Sequence, residues 1–177
     1  MSLILRLCGL CLALAMLTAC AVPGKGGASI EEIQRAAYVH NGPPRLTLFT
    51  MISTRSGQGA HSSLMINGSQ RVVWDPAGTF RKEGIISRDD VVYGMTPYLA
   101  DVYTRFHARE TFYVVVQEID VSAEVAELAL QKAMSYGAVP QAQCALSTSQ
   151  LLAGLPGFRD IKVGYYPRKL MDQFEAK

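Results

Sequence analysis

The chain has 177 residues and a formal net charge of +2, and 49 % of its residues are hydrophobic, enough to build one domain around a real core. Near-balanced charge gives no electrostatic reason to bind nucleic acid. The sequence holds no internal repeat, no basic run, no Cys–His metal spacing and no Gly-rich phosphate loop after a strand, so neither cofactor nor metal is expected.

Residues 1–20 have the layout of an export signal. Arg6 is the one charge, and the apolar run from Leu7 to Leu17 is too short to cross a bilayer as a helix. Leu17-Thr18-Ala19-Cys20 resembles the bacterial lipoprotein lipobox. The resemblance implies a signal peptide over 1–19, acylation of Cys20 and a membrane anchor there. Inner-membrane retention of lipoproteins goes with Asp after the Cys; here Ala21 follows, and the expected address is the outer membrane, facing the periplasm. Residues 20–28 are then the lipidated Cys and a Gly/Pro-rich tether, and 29–177 a single domain.

Ser29–Ala37 reads as a short helix, with Ser29 and Glu32 in a capping-box pattern. Asn41-Gly42-Pro43-Pro44 stops it. Arg45–Ile52 reads as a strand and Ser53–Gly59 as a loop. Ala60–Ile66 and Gln70–Trp74 are β-prone runs, joined through the hairpin signal Asn67-Gly68. Asp75-Pro76-Ala77-Gly78 is a turn. The mixed, charged stretch 79–95 reads as a long loop or flap, with Arg81-Lys82-Glu83 and Arg88-Asp89-Asp90 solvated. Thr96-Pro97 caps a helix that carries Leu99, Val102, Tyr103 and Phe106 at helical spacing. Thr111–Ile119 is the clearest strand. Ser122 caps a well-buried helix that ends at Gly137, and Pro140 opens a last helix that ends at Gly154. The tail offers one possible strand, Ile161–Tyr166. Irregular alternation around a central hairpin predicts an α+β fold with a mainly antiparallel sheet packed against helices.

Four cysteines occur. Cys8 and Cys11 fall in the leader and Cys20 in the lipobox, which leaves Cys144 as the one thiol of the domain, without a disulfide partner. In an oxidising compartment such a thiol is an inert core residue or a reagent. Cys144 lies in the first turn of the predicted helix. A helix N-terminus favours thiolate over thiol, and its free N–H groups can hold a developing oxyanion. An imidazole is needed to take the proton, and His61 opens the first hairpin strand. His107 ends a helix, where a cationic ring is favoured anyway, and His40 lies in a polar loop; both are read as structural. A metal site from His61, Asp75 and His107 needs distant parts of the chain to converge and is not expected.

A Cys–His pair needs a third group to fix the ring. Asp75 is the candidate, and the hairpin register decides. A three-residue loop at Asn67, Gly68 and Ser69 sets His61 opposite Asp75. A two-residue loop sets it opposite Trp74, and a carbonyl or Gln117 must then orient the ring. The sequence leaves both open.

The order His strand, polar residue, Cys helix resembles the circularly permuted NlpC-type branch of the papain-like superfamily, in which the His strand precedes the Cys helix. Ala60–Ile66 with Val72–Gly78 is similar to that family's His hairpin, and Gln143-Cys144-Ala145-Leu146 to its Cys motif. The resemblance spans 60–78 and 140–155, and 111–119 loosely. Family members commonly carry His or another polar residue at the third position, where Asp75 stands approximately. The resemblance implies a cysteine hydrolase or acyltransferase with Cys144 as nucleophile and His61 as base, acting on amide or ester bonds in cell-wall peptides or acyl lipids. The alternative expectation is a non-catalytic envelope lipoprotein that binds a protein or glycan.

Overall fold

The computed structural model describes residues 27–81 and 83–177. The export signal, Cys20 and the tether up to residue 26 lie outside the described residues. Helix α1 (Ile30–Ala36) starts on the expected capping box: Ser29 Oγ accepts from the Glu32 N–H, and Glu32 Oε2 accepts from the Ser29 N–H at 2.7 Å. Strands β1 (Arg45–Ser53), β2 (Gly59–Asn67) and β3 (Arg71–Trp74) follow, then two short strands, β4 (Ser87–Arg88) and β5 (Val91–Val92). Helix α2 (Pro97–His107) is capped by Thr96, which accepts from the Leu99 N–H. Strand β6 (Phe112–Asp120) leads to α3 (Ala123–Ser135), α4 (Cys144–Ala153) and α5 (Pro167–Glu175).

The described strands form one sheet in the order β4-β5-β3-β2-β1-β6, with every neighbouring pair antiparallel. The fold is α+β. Side-chain alternation divides the sheet into two faces. Leu46, Leu48, Leu64, Ile66, Val72 and Trp74 point to one, where α3, α4 and α5 cover them through residues such as Leu130, Leu152 and Phe174. Phe49, Met51 and Val73 point to the other, under Tyr103 of α2 and the loop residues Phe80 and Met95. His61 and Ser63 share this second face, since Met51 pairs with His61 and Phe49 with Ser63.

Three expectations are corrected. Residues 79–95 are not one loop, because β4 and β5 extend the sheet beside β3. Asp89 and Asp90 make their tight turn with φ of 47° and 66°, the left-handed pair that a two-residue hairpin requires. Asp90 is not a solvated charge. It is buried, and its Oδ2 accepts from the Ala77 N–H at 3.0 Å and the Val139 N–H at 2.8 Å, while Arg81 bonds its Oδ1. The tail carries no strand over 161–166; it forms α5, with Pro167 in the first turn and Leu170 and Phe174 buried one turn apart.

Candidate active site

The β2–β3 hairpin has neither of the two registers considered above. Asn67 pairs with Arg71 and Leu64 with Trp74, so the connecting residues are Gly68, Ser69 and Gln70. Asn67 stays in the ladder because its amide is employed elsewhere, donating to the carbonyls of Gly42 and Pro43. Continuing that register by one residue places Asp75 opposite Ser63, diagonal to His61 on the same face. The diagonal suffices: His61 Nε2 lies 2.7 Å from Asp75 Oδ1. Trp74 points to the opposite face, into the other core, and Gln117 binds the Met171 carbonyl and Glu175 on α5, so neither serves the ring.

Strand β3 ends at Trp74, opposite Leu64, which leaves the first half of β2 without a neighbour on that side. The start of α4 comes to this gap. Cys144 is the first residue of α4, and the backbone N–H groups of Ser62 in β2 and of Ala145 favour its thiolate. The thiol and the His61 ring interact, each favouring the charged form of the other. Asp75 holds Nε2, and Nδ1 is the nitrogen left for sulfur. The structure thus brings together all three expected residues of the domain: Cys144, His61 and Asp75. No side chain caps α4 at Gln143, so its first-turn N–H groups are not claimed by a cap.

Tight local geometry sets the carboxylate. Asp75-Pro76-Ala77-Gly78 closes as a turn, with the Gly78 N–H 2.8 Å from the Asp75 carbonyl and Ala77 at φ 58°. A Cβ on Gly78 would lie 1.8 Å from Asp75 Oδ2, so any other residue there must displace the carboxylate. Tyr103 Oη donates to Asp75 Oδ1 at 2.8 Å, beside Ser63 Oγ at 2.6 Å.

Two members of this site were not assigned to it from the sequence, Tyr103 and His107. His107 lies one turn after Tyr103 on α2, donates Nδ1–H to the Tyr103 carbonyl at 2.9 Å, and stacks on His61 with 5.9 Å between ring centroids. The polar residues at i and i+4 on α2 were the available signal. The helix-end reading of His107 was sound for its backbone contact and missed its neighbour across the sheet.

The charges follow from these contacts. Burial disfavours a charged His61 ring, but hydrogen bonds and attraction to Asp75 and Cys144 prevail and raise its pKa to about 10. Burial also raises the Asp75 carboxyl, and the bonds from His61 and Tyr103 overcome it, holding the group below the usual carboxylate range. Burial pushes the Cys144 thiol up, and His61 with the two N–H groups pulls it below the ordinary thiol value. Burial holds the His107 ring below the ordinary imidazole value.

A cleft of about 250 Å³ opens on this assembly, lined by His61, His107, Ala77, Gly78, Phe112 and Arg109 among others. Cys144 is 7 % exposed and does not line it, so access to sulfur is narrow. Among the described residues no helix is long and apolar enough to cross a membrane. Compared with known protein families, curated proteins and solved structures, the chain matches none.

Proposed function

We propose that the protein is a lipid-anchored thiol hydrolase or acyltransferase of the cell envelope, papain-like in the permuted NlpC-type order, acting on amide or ester bonds. One observation carries this reading: Cys144 interacts with His61, whose Nε2 lies 2.7 Å from Asp75 Oδ1, with the thiol at the first position of a helix and the imidazole on a strand. A buried structural thiol needs none of these partners. Cys144 Sγ attacks the substrate carbonyl, and the oxyanion develops near the uncapped N–H groups of α4. Collapse breaks the amide or ester bond, and His61 gives its proton to the leaving amine or alcohol. The thioester then passes its acyl group to water or to an acceptor hydroxyl or amine, whose proton returns to His61 as sulfur departs. Asp75 keeps the ring in place and balances its charge.

The reading places Cys20 as the anchor and the outer membrane as the site of action, where cell-wall peptides and acyl lipids are both within reach. Its test is alkylation by iodoacetamide. Cys144 should label faster at neutral pH than a free thiol, and Cys144→Ala should remove both the label and any hydrolysis of short-chain esters or cell-wall peptides. A wild-type protein that labels no faster than a free thiol overturns the proposal. Palmitate incorporation that disappears in Cys20→Ser checks the anchor.

A further inference from the structure

The ring of His107 takes no part in the acyl-transfer chemistry, yet it is built into the same site. His61, Asp75 and His107 each offer a ligand atom, and these atoms all lie within 4.8 Å of one another. Each is already oriented by a second partner. The Tyr103 carbonyl can only accept, so His107 Nδ1 carries the hydrogen and Nε2 keeps its lone pair. An imidazole whose other nitrogen donates to a backbone carbonyl is the usual arrangement of a metal-ligating histidine. Asp75 is fixed by the Tyr103 hydroxyl, and His61 by its contact with Cys144. Two imidazoles and one carboxylate suit zinc among the divalent ions, and three protein ligands leave a fourth position open. Both histidines line the cleft, which gives an ion a way in.

We infer that His61, Asp75 and His107 form a zinc-binding site whose occupation and the thiol chemistry of Cys144 exclude one another. The ion takes the His61 nitrogen that now donates to Asp75, and one proton leaves as the N–Zn bond forms. The ring and the carboxylate are then tied to the ion, so His61 no longer exchanges a proton with sulfur or with a leaving group. The exclusion rests on the thiol reading given above; the zinc site itself does not.

The experiment separates the two. Zinc affinity is measured on the Cys144→Ala protein, which has no thiol among the described residues, by competition with a chromophoric chelator. Binding at one equivalent is expected. Adding His107→Gln should weaken it at least about tenfold, a loss that outer-shell changes alone reach at metal centres. A circular-dichroism melt shows whether that double variant is folded. If it is not, cobalt bound to the wild-type protein decides: visible ligand-field bands without a thiolate-to-metal charge-transfer band are expected. No binding to Cys144→Ala, an affinity unchanged by His107→Gln, or a thiolate charge-transfer band each overturns the site. In the wild type, zinc should slow alkylation of Cys144 and a chelator should restore it; zinc bound at this site with no effect on alkylation overturns the exclusion.

Discussion

Tyr103 and Asp75 are joined by a buried hydrogen bond of 2.8 Å, and it ends on the same Oδ1 that His61 approaches at 2.7 Å. The carboxylate is buried and charged, so its donors set both its energy and its direction. A hydrogen bond to a charged group contributes about 1.5–3 kcal/mol. Tyr103→Phe should therefore lower the melting temperature by roughly 3–12 °C, at about 2–4 °C per kcal/mol for a domain of this size. It should also slow alkylation of Cys144, because the ring loses part of its support. Conservative replacement keeps the packing of Tyr103 against Phe49 and Phe80, so a melting temperature that does not move would mean Tyr103 is not a donor to this carboxylate.

Gly78 tests the carboxylate by contact rather than by charge. The Cβ of Gly78→Ala would lie 1.8 Å from Oδ2 and 2.1 Å from Cγ of Asp75, and one of them must shift. The carboxylate is the softer of the two, so the bond to His61 should lengthen or break. Alkylation of Cys144 is expected to slow by about tenfold, the loss that corresponds to roughly 1.4 kcal/mol. Gly84→Ala is the control. It has φ +80° and nothing near its Cβ, so it costs backbone strain of about 1 kcal/mol and should leave labelling unchanged. Equal labelling in both variants would remove Asp75 from the account.

The parts of this site that declare themselves locally were legible in the sequence. Pro140 ahead of an apolar run placed Cys144 at a helix start, and Asn67-Gly68 marked the hairpin that carries His61. The register was not legible, because Asn67 spends its amide on Gly42 and Pro43, a contact made across some 25 residues of chain. His107 was not legible as a neighbour of His61 for a related reason. Its helix explains it fully until the sheet brings β2 alongside. The β4–β5 hairpin escaped because its strands are two residues long and its turn uses two aspartates where Asn-Gly is the common signal. Helix α5 was readable from Pro167, Leu170 and Phe174, but the β-prone Tyr165-Tyr166 beside them drew the segment toward a strand.

Access supplies another test. Cys144 is 7 % exposed, and the cleft of about 250 Å³ has His61 in its lining but not Cys144. A small electrophile can reach such an atom and a bulky one cannot. Iodoacetamide should therefore label Cys144 readily, while a maleimide carrying a large fluorophore should label it slowly or only after unfolding. In guanidinium chloride the two reagents should converge on the rates of an ordinary thiol. Equal preference for both reagents in the folded state would show that the sulfur is open, contrary to its burial.

The pH dependence of alkylation asks whether the thiol and the imidazole are coupled. It should be measured with a chelator present, so that no metal competes for the ring. The reacting species is the thiolate, and its share falls as pH drops through the pKa of Cys144. That pKa lies below the ordinary value of about 8.5, because attraction to His61 and the N–H groups of Ser62 and Ala145 outweighs burial. The midpoint of the wild-type rate should thus lie on the acid side of the ordinary thiol midpoint. His61, raised to about 10, remains cationic across that whole range, and the pair is lost only as pH rises through that value. In His61→Gln the main lowering partner is gone while burial remains. Burial acts upward on a thiol, so the midpoint of this variant should rise above that of the wild type. The two profiles must then separate, with that of the variant displaced to higher pH. If they coincide, Cys144 and His61 share a neighbourhood without sharing a proton.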